Sequence, residues 1–441
     1  MVTLDRGMGL LQASATNIIG MVGVGPFLTL PLMVAAMGGP HIIYAWAFGA
    51  LLALCDGLVY AELGAALPGS GGSYVYLREA YRPFGLGRLM AFVFIFQTVL
   101  VAPLAIAGGA VGFADYLGFY WTSMSPAQHG LVAAAVCVGV TALLYRDIGA
   151  IGRLAVVMLV VTLGTIAWVI AAGAAAASWP RAFDVPASAR RLDGGLLRAI
   201  GAGGLLAMYN YGGYNNVCNI AEEIRAPHRT LPRAIVLSIV VVVALYVAMS
   251  TVVLAVIPWQ EAQGTRAIAS VFIARTFSDP ASGRLAAIVI TALILFITAA
   301  SLYAVVLGYS RIPFAAARDG EFFAAFARLH PTKHFPHVSL LTICAVTLPF
   351  CFFTLGQLVT WLIQVQILLQ FVWQCAAVML LRRYRPDIPK PFRMWLYPAP
   401  ALVSLATWLY IFATASPAGI AFSFAFLAAA VAAFFVFDRS T

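Results

Sequence analysis

Two short stretches carry most of the chemistry open to this sequence. Gly20-Met21-Val22-Gly23-Val24-Gly25-Pro26 sets three glycines and a proline inside an apolar run. Tyr209-Asn210-Tyr211-Gly212-Gly213-Tyr214 repeats the device with a glycine pair among polar residues. Glycine weakens a helix by about 1 kcal/mol relative to alanine, and proline by about 3 kcal/mol. Proline also fits the first turn of a new helix, where its missing N–H has no partner to lose. The chain is therefore predicted to unwind across Gly23-Val24-Gly25 and restart at Pro26-Phe27, and to break again at 210–214. The restarted helix points free amides and a positive dipole end at an anion. Carbonyls released near Met21, Tyr209 and Asn210 accept from a cation. Amides beside carbonyls suit the carboxylate and ammonium of an α-amino acid. The other reading is a pair of glycine kinks that allow close helix packing.

Isolated polar residues come next. Asp56 lies inside an apolar run, where an ionisable residue costs at least about 2.5 kcal/mol and is expected to face the interior and have a role. It is a candidate proton carrier or amine ligand, or else an acid near the inner end paired with a loop arginine. Gln366, Gln370 and Gln374 form one polar stripe on a helix, serving as packing glue or as a pathway lining. Gln97, Asn215 and Asn216 are weaker candidates. The histidines fall at span ends or in loops, so no intramembrane histidine relay is expected. The six cysteines show no CxxC pairing and read as packed thiols. GxSxG, Walker-type GK[ST] and HExxH are absent, so neither metal, cofactor nor nucleotide chemistry is expected.

The elements that must position these residues are set by composition. Of 441 residues, 63% are hydrophobic and only 10% charged, with a mean hydropathy of +0.95. A soluble domain carries roughly 25% charged residues. A soluble enzyme, a nucleic-acid-binding domain and a disordered chain are excluded, despite the net charge of +10. The apolar residues fall in blocks of roughly 20, the length that spans a bilayer as helix. An all-α membrane protein of twelve transmembrane helices is predicted, with spans at 10–37, 40–66, 86–118, 128–145, 151–176, 195–224, 233–257, 284–311, 338–354, 357–381, 397–415 and 418–437. The first block lacks a cleavage site and reads as a span rather than a signal peptide. With the N-terminus inside, nineteen Lys and Arg residues lie on inner segments against seven outside. This bias predicts both termini to be cytoplasmic in the plasma membrane. Residues 73–83 read as an amphipathic helix at the inner interface. Residues 259–278 are too short to span and read as a cap over an outer vestibule or as an ordered loop.

Two interrupted helices in matching places of two halves point to a transporter binding site. With that layout, five ordered motifs resemble the amino acid–polyamine–organocation (APC) superfamily over nearly the whole chain. They are Gly23-Val24-Gly25-Pro26-Phe27, then Tyr60-Ala61-Glu62-Leu63-Gly64 with Pro68 and Gly71-Gly72-Ser73-Tyr74, then AEEIRAPHRTLPRAI at 221–235, then Ser310 to Gly320, and Pro391 to Pro398. The resemblance implies a LeuT-type five-plus-five inverted repeat, with helices 1–5 over 10–176, helices 6–10 over 195–381, and two added helices over 397–437. It implies secondary active transport of an amino acid by alternating access, with no enzyme activity. It assigns substrate carbonyls to Tyr209, Asn210 and Gly212 and a closing aromatic to Tyr214, beside Met21, Gly23, Val24 and Gly25.

Departures from the family pattern bear on coupling. Val24 stands where a hydroxyl residue is usual. Thr162 stands where many proton-coupled or exchanging members carry lysine, and Thr298 and Ser301 are the hydroxyls open to an ion in span 8. Transport independent of sodium is expected, by proton linkage through Asp56 or Glu62 or by exchange. A looser resemblance to the polyamine-uptake branch, through Asp56 six residues before Glu62, leaves a polyamine as the alternative substrate.

Overall fold

Short polar signals start the helices and long apolar runs carry them. Ser125 and Gln128 close a capping box ahead of Pro126, as Thr354 and Gln357 do ahead of Leu355. Asp147 accepts from the Ala150 amide, and Asp279 from those of Ala281 and Ser282. Such caps begin helices before the apolar run does. The eighth span therefore starts at Pro280, ahead of the hydropathy edge at 284, while the seventh starts at Pro227, a first-turn proline without a side-chain cap, ahead of the edge at 233.

The computed structural model describes residues 4–23, 25–186, 194–265, 267–414 and 417–438. Val24 lies outside the described residues, as do Arg190, Arg191, Arg266 and Arg439 of the charge bias. α1 (Leu10–Met21) and α2 (Gly25–Met37) meet at 44°. They are followed by α3 (Ile43–Ala66), α4 (Ser73–Tyr81), α5 (Gly87–Leu117), α6 (Pro126–Leu143), α7 (Ile148–Ala176) and α8 (Trp179–Ala182). α9 (Gly194–Tyr211) and the single turn α10 (Asn216–Asn219) precede α11 (Pro227–Val256). Next come α12 (Trp259–Ala262), α13 (Ile268–Arg275), α14 (Pro280–Tyr309), α15 (Arg311–Arg318) and α16 (His337–Thr347). α17 (Leu355–Gln366) and α18 (Val372–Tyr384) flank a π-helical turn, Ile367–Phe371, and α19 (Ala399–Ala413) and α20 (Pro417–Asp438) end the chain.

Among the described residues, eight helices are long and apolar enough to cross a membrane, or nine if the bent pair α1–α2 counts as one. There is no strand among them, only a bridge between Met8 and Ile224. α1 lies centrally, packed on α11, α7 and α14, while α2 and α3 pack on α9. These contacts bring the two glycine-rich breaks together.

Two loop readings change. α4 buries Ser73, Tyr74, Tyr76, Leu77, Ala80 and Tyr81 and packs between α5 and α18. Its tyrosines need protein partners, so it is a wedge inside the bundle rather than a helix resting on lipid. α13 buries Phe272 and Ile273 against α14 and α7. Of the two alternatives at 259–278, this favours the ordered loop.

Candidate functional site

The first break falls within a residue of where glycine spacing put it. α1 stops at Met21, and α2 restarts at Gly25 with Pro26 in its first turn. The second break is displaced. α9 continues through Asn210 and Tyr211, and the turn begins at Gly212 rather than at 210. Both residues are held in the helix by side-chain contacts. Asn210 Nδ2 donates to the Leu206 carbonyl and to Thr29 Oγ1, each at 2.7 Å. The Tyr211 ring packs against Trp46 and Tyr246. The chain turns at Gly213, whose φ of +109° only glycine adopts without strain. A Cβ there would come within 3.2 Å of the Gly20 carbonyl, so the two breaks touch backbone to backbone.

Released carbonyls do not stay empty. The Tyr246 hydroxyl, on α11, donates to Met21 O at 2.8 Å and reaches Asn210 O at 3.5 Å. Ser301 Oγ, on α14, donates to Gly20 O at 3.2 Å. Asn17 Nδ2 donates to Tyr214 O at 2.6 Å, and its Oδ1 accepts from the Val217 amide at 2.9 Å, pinning the second break from α1. Asn216 Nδ2 donates to Ala304 O at 2.6 Å. Tyr246 and Asn17 were not singled out from the sequence. The signal for Asn17 was available, since a fully buried amide in an apolar run needs a partner. Tyr246 gave none, because one tyrosine in a valine-rich helix has no distinguishing spacing.

Around the paired breaks lies a cavity of about 180 Å³. Its wall includes Met21, Gly23, Gly25, Tyr209, Asn210, Gly212, Tyr214, Thr298 and Ser301. Apolar and aromatic side chains from α5, α14 and the α17–α18 helix complete it, among them Phe94, Leu302, Tyr309 and Phe371. Among the described residues, no Asp, Glu, Lys, Arg or His lines it. Two glycines are spatially required: a Cβ on Gly23 would sit 2.9 Å from Ser301 Oγ, and one on Gly25 would overlap Asn210 Oδ1. That oxygen is buried without a hydrogen-bond partner and is open to a donor. The arrangement offers first-turn amides of α2 to an anion, and carbonyl and carboxamide oxygens to a cation.

The remaining singled-out residues are dispersed. Asp56 is fully buried behind Tyr214, whose hydroxyl donates to Oδ2 at 2.5 Å. Ser404 Oγ at 2.8 Å, Trp408 Nε1 at 3.2 Å and Cys375 Sγ at 3.7 Å take Oδ1. The pairing of Asp56 with a loop arginine is therefore wrong. The helix carries the carboxylate toward α19, where neutral donors occupy it. Glu62 is the residue that takes an arginine: Arg382 binds it at 2.6 and 2.7 Å, and the Met394 amide adds a third bond at 2.7 Å. With its lone pairs so occupied, Glu62 ties α3 to the end of α18 and does not face the cavity. Gln97 Nε2 donates to Gln370 Oε1 at 3.0 Å, and Gln370 donates to Tyr60 Oη at 2.8 Å. Gln366 and Gln370 line the cavity, whereas Gln374 does not. Thr162 is buried away from it with its hydroxyl unpaired, and the Thr298 hydroxyl is bonded to Ile294 O.

The face carrying the N-terminus is held by ion pairs. Arg311 and Glu223 form a buried pair at 2.8 and 2.9 Å, and Arg318 grips Glu222 at 2.6 and 2.7 Å. Glu79 on α4 receives Arg385 at 3.0 Å and Arg78 at 3.2 Å. Burial pushes the Glu79 carboxyl up, but Arg385 and Arg78 outweigh it and hold the group below the usual carboxylate range. Met8 threads into this face, its amide bonded to Glu223 O at 3.1 Å and its carbonyl to the Arg225 amide at 2.8 Å.

Comparison with known proteins identifies the family. The amino acid permease family model matches residues 8–438. An uncharacterised transporter of Mycobacterium tuberculosis is 33% identical over 351 residues, covering 78% of this chain and 73% of its own. A branched-chain amino acid permease of Bacillus subtilis is 26% identical over 89% of this chain and 84% of its own. A large neutral amino acids transporter small subunit of Oryctolagus cuniculus is 27% identical over 93% and 76%. With a match over nearly its whole length and two broken helices meeting at one cavity, the chain belongs to the amino acid permease family of the APC superfamily, as a multi-pass membrane transporter of amino acids and not an enzyme.

Proposed function

We propose that the protein is a secondary active transporter of neutral amino acids that works by alternating access around the paired breaks. The observation that carries this reading is the cavity wall: first-turn amides of α2, carbonyl and carboxamide oxygens of α9, and, among the described residues, no charged side chain. The substrate carboxylate is assigned to the amides at Gly25 and Phe27. The ammonium is assigned to Asn210 Oδ1 and the carbonyls around Met21, Tyr209 and Gly212, with Tyr214 closing over the ligand. A cationic or acidic side chain would enter this cavity without a counter-charge, which is costly in low dielectric. Similarity to permeases named for branched-chain and large neutral amino acids points the same way. The polyamine alternative draws no support from this wall, since Asp56 stands behind Tyr214.

The architecture proposed is twelve spans in a five-plus-five inverted repeat. α1–α2, α9–α10, α16 and α19 join the eight long helices to make that number. The arginine bias supports an N-terminal face in the cytoplasm and a place in the plasma membrane. A proton on Asp56, or substrate exchange, is the coupling proposed, and sodium is not required: Ser301 already donates to the Gly20 carbonyl and Thr298 is turned to its own helix.

The test is uptake and exchange by purified protein in liposomes, screened across the standard amino acids and putrescine. Sodium is replaced by choline at fixed pH. Accumulation or exchange of neutral amino acids, unchanged in choline, is expected. Competition by putrescine alone would overturn the substrate class, and a large loss in choline would identify the Thr298–Ser301 region as a sodium site.

A further inference from the structure

Asp56 makes an unusual set of bonds for a carboxylate inside a membrane bundle. Its two oxygens are divided. Oδ1 is taken by Ser404 and Trp408 of α19, with Cys375 of α18 beside them, and Oδ2 is taken by Tyr214 alone. The titratable groups facing it are Cys55 and Tyr60 on its own helix, Tyr214 beyond the second break, and Cys375. Among the described residues no basic side chain pairs with it. Trp408 serves two surfaces at once. Its indole N–H fixes Asp56, while its ring stacks on Phe371 at 4.2 Å and forms part of the cavity wall.

We propose that Ser404 and Trp408 are positioning residues for the Tyr214 gate, acting through Asp56, and that a proton on Asp56 turns the Tyr214 hydroxyl toward the substrate. The inference rests on the reading that the cavity takes an amino acid. With Asp56 ionised, Tyr214 donates to Oδ2 and its hydrogen is held away from the cavity. A proton bound at Oδ2 reverses that bond, because the carboxyl O–H now donates to the phenol oxygen. Tyr214 keeps its own proton, which needs a new acceptor, and an acceptor on bound substrate is available because Tyr214 lines the cavity. Proton and substrate then stabilise each other's binding, and by linkage the effect is reciprocal. The α19 donors matter because they hold Oδ1 and so aim Oδ2 at Tyr214. A helix outside the two proposed repeats therefore sets the pH at which the gate engages.

The experiment measures L-leucine exchange in liposomes at equal internal and external pH, as KM and maximum rate against pH. A pH-difference infrared spectrum of the same proteins, read at the protonated-carboxyl band, serves as a measurement independent of transport. Ser404→Ala and Trp408→Phe each remove one donor to the ionised carboxylate, so the protonated form persists to higher pH. Both variants are expected to move the KM midpoint and the infrared midpoint to alkaline pH by about one to two units, and Ser404→Ala, which does not line the cavity, to keep its maximum rate within about twofold of the original. Tyr214→Phe and Asp56→Asn are expected to flatten the KM profile, and Asp56→Asn to delete the band. Thr407→Ala, whose hydroxyl, among the described residues, bonds to Val403 O of its own helix, is the matched control and should change nothing. The proposal is overturned if Ser404→Ala and Trp408→Phe leave both midpoints in place, or lower the maximum rate without moving them. If the original protein exchanges no leucine, the functional reading fails, and the infrared midpoints alone still decide the role of α19.

Discussion

Tyr246 shows how a single hydroxyl can hold a broken-helix site open. An unwound segment leaves carbonyls without helical partners, and in a lipid-embedded bundle each must find a donor. Tyr246 supplies one to Met21 O and approaches Asn210 O, so one side chain spans both breaks. Its ring is fixed by stacking on Tyr211 at 5.7 Å and by Trp46 at 5.2 Å. Tyr246→Phe keeps that packing and removes only the donor. Leaving a buried carbonyl unpaired costs about 1–3 kcal/mol, and the released oxygen is free to draw water or a neighbouring amide out of place. Amino acid affinity is expected to fall about tenfold or more with little change in secondary structure. Binding measured by isothermal calorimetry, beside circular dichroism of the same sample, checks this. Affinity equal to that of the unsubstituted protein would show Tyr246 to be packing alone.

At the scale of elements, the second break depends on one residue's backbone. Gly213 has a φ of +109° and lies against the Gly20 carbonyl. A side chain there adds about 1–3 kcal/mol of backbone strain and pushes α1 away from the α9–α10 turn. Gly85 is a useful contrast, since its φ of +70° is also left-handed but a Cβ there meets nothing within 4 Å. Gly213→Ala is expected to reduce uptake more than tenfold, and Gly85→Ala to leave it within about twofold at a similar backbone cost. Uptake rates alongside thermal melts separate the two effects. Equal losses of uptake would mean that backbone strain, not contact between the breaks, governs the site. A π-helical turn at Ile367–Phe371 acts on the opposite wall, and such turns are frequent at functional sites. It turns its own Gln370 toward Tyr60, whereas Gln366, at the end of α17, faces Tyr309.

Across the whole molecule, the N-terminal face is tied together by ion pairs set among buried apolar residues such as Met8, Leu77 and Ile224. Arg318–Glu222, Arg311–Glu223, Arg382–Glu62 and Arg385–Glu79 tie five segments together around the start of α1 and the end of α14. Despite burial, Glu79, like Glu222, has its carboxyl held below the ordinary range by its arginine partners. A depressed carboxyl contributes stability that is complete above the unfolded value of about 4.5 and is lost as pH falls through the folded one. At pH 7, Glu79→Gln is expected to destabilise by about 1 kcal/mol, discounted for partial exposure of the arginines. The gap should close as pH drops below about 4. Thermal melts of both proteins from pH 7 down to 3.5 measure it. A gap that stays constant with pH would show that the lost contribution is not an ion pair.

Much of this molecule is legible without coordinates, and the boundary of legibility has a physical cause. Membrane placement, the all-helical class and the two breaks follow from local terms. Apolar blocks of bilayer length, glycine and proline propensities and capping residues act within a few positions along the chain. Gly23, Gly25 and Pro26 therefore mark the first break to within a residue. The second was placed two residues early, because Asn210 and Tyr211 are kept helical by Leu206, Thr29, Trp46 and Tyr246. Three of those four are distant in sequence. Asp56 and Glu62 make the same point more sharply. Both are acids in one apolar helix, and composition treats them alike. Only tertiary packing assigns Glu62 to Arg382 and Asp56 to Tyr214, Ser404 and Trp408, with partners 158 to 352 residues away along the chain. A buried carboxylate is satisfied by whatever donors the folded bundle brings within 3 Å or so, and no spacing rule along the chain encodes that meeting.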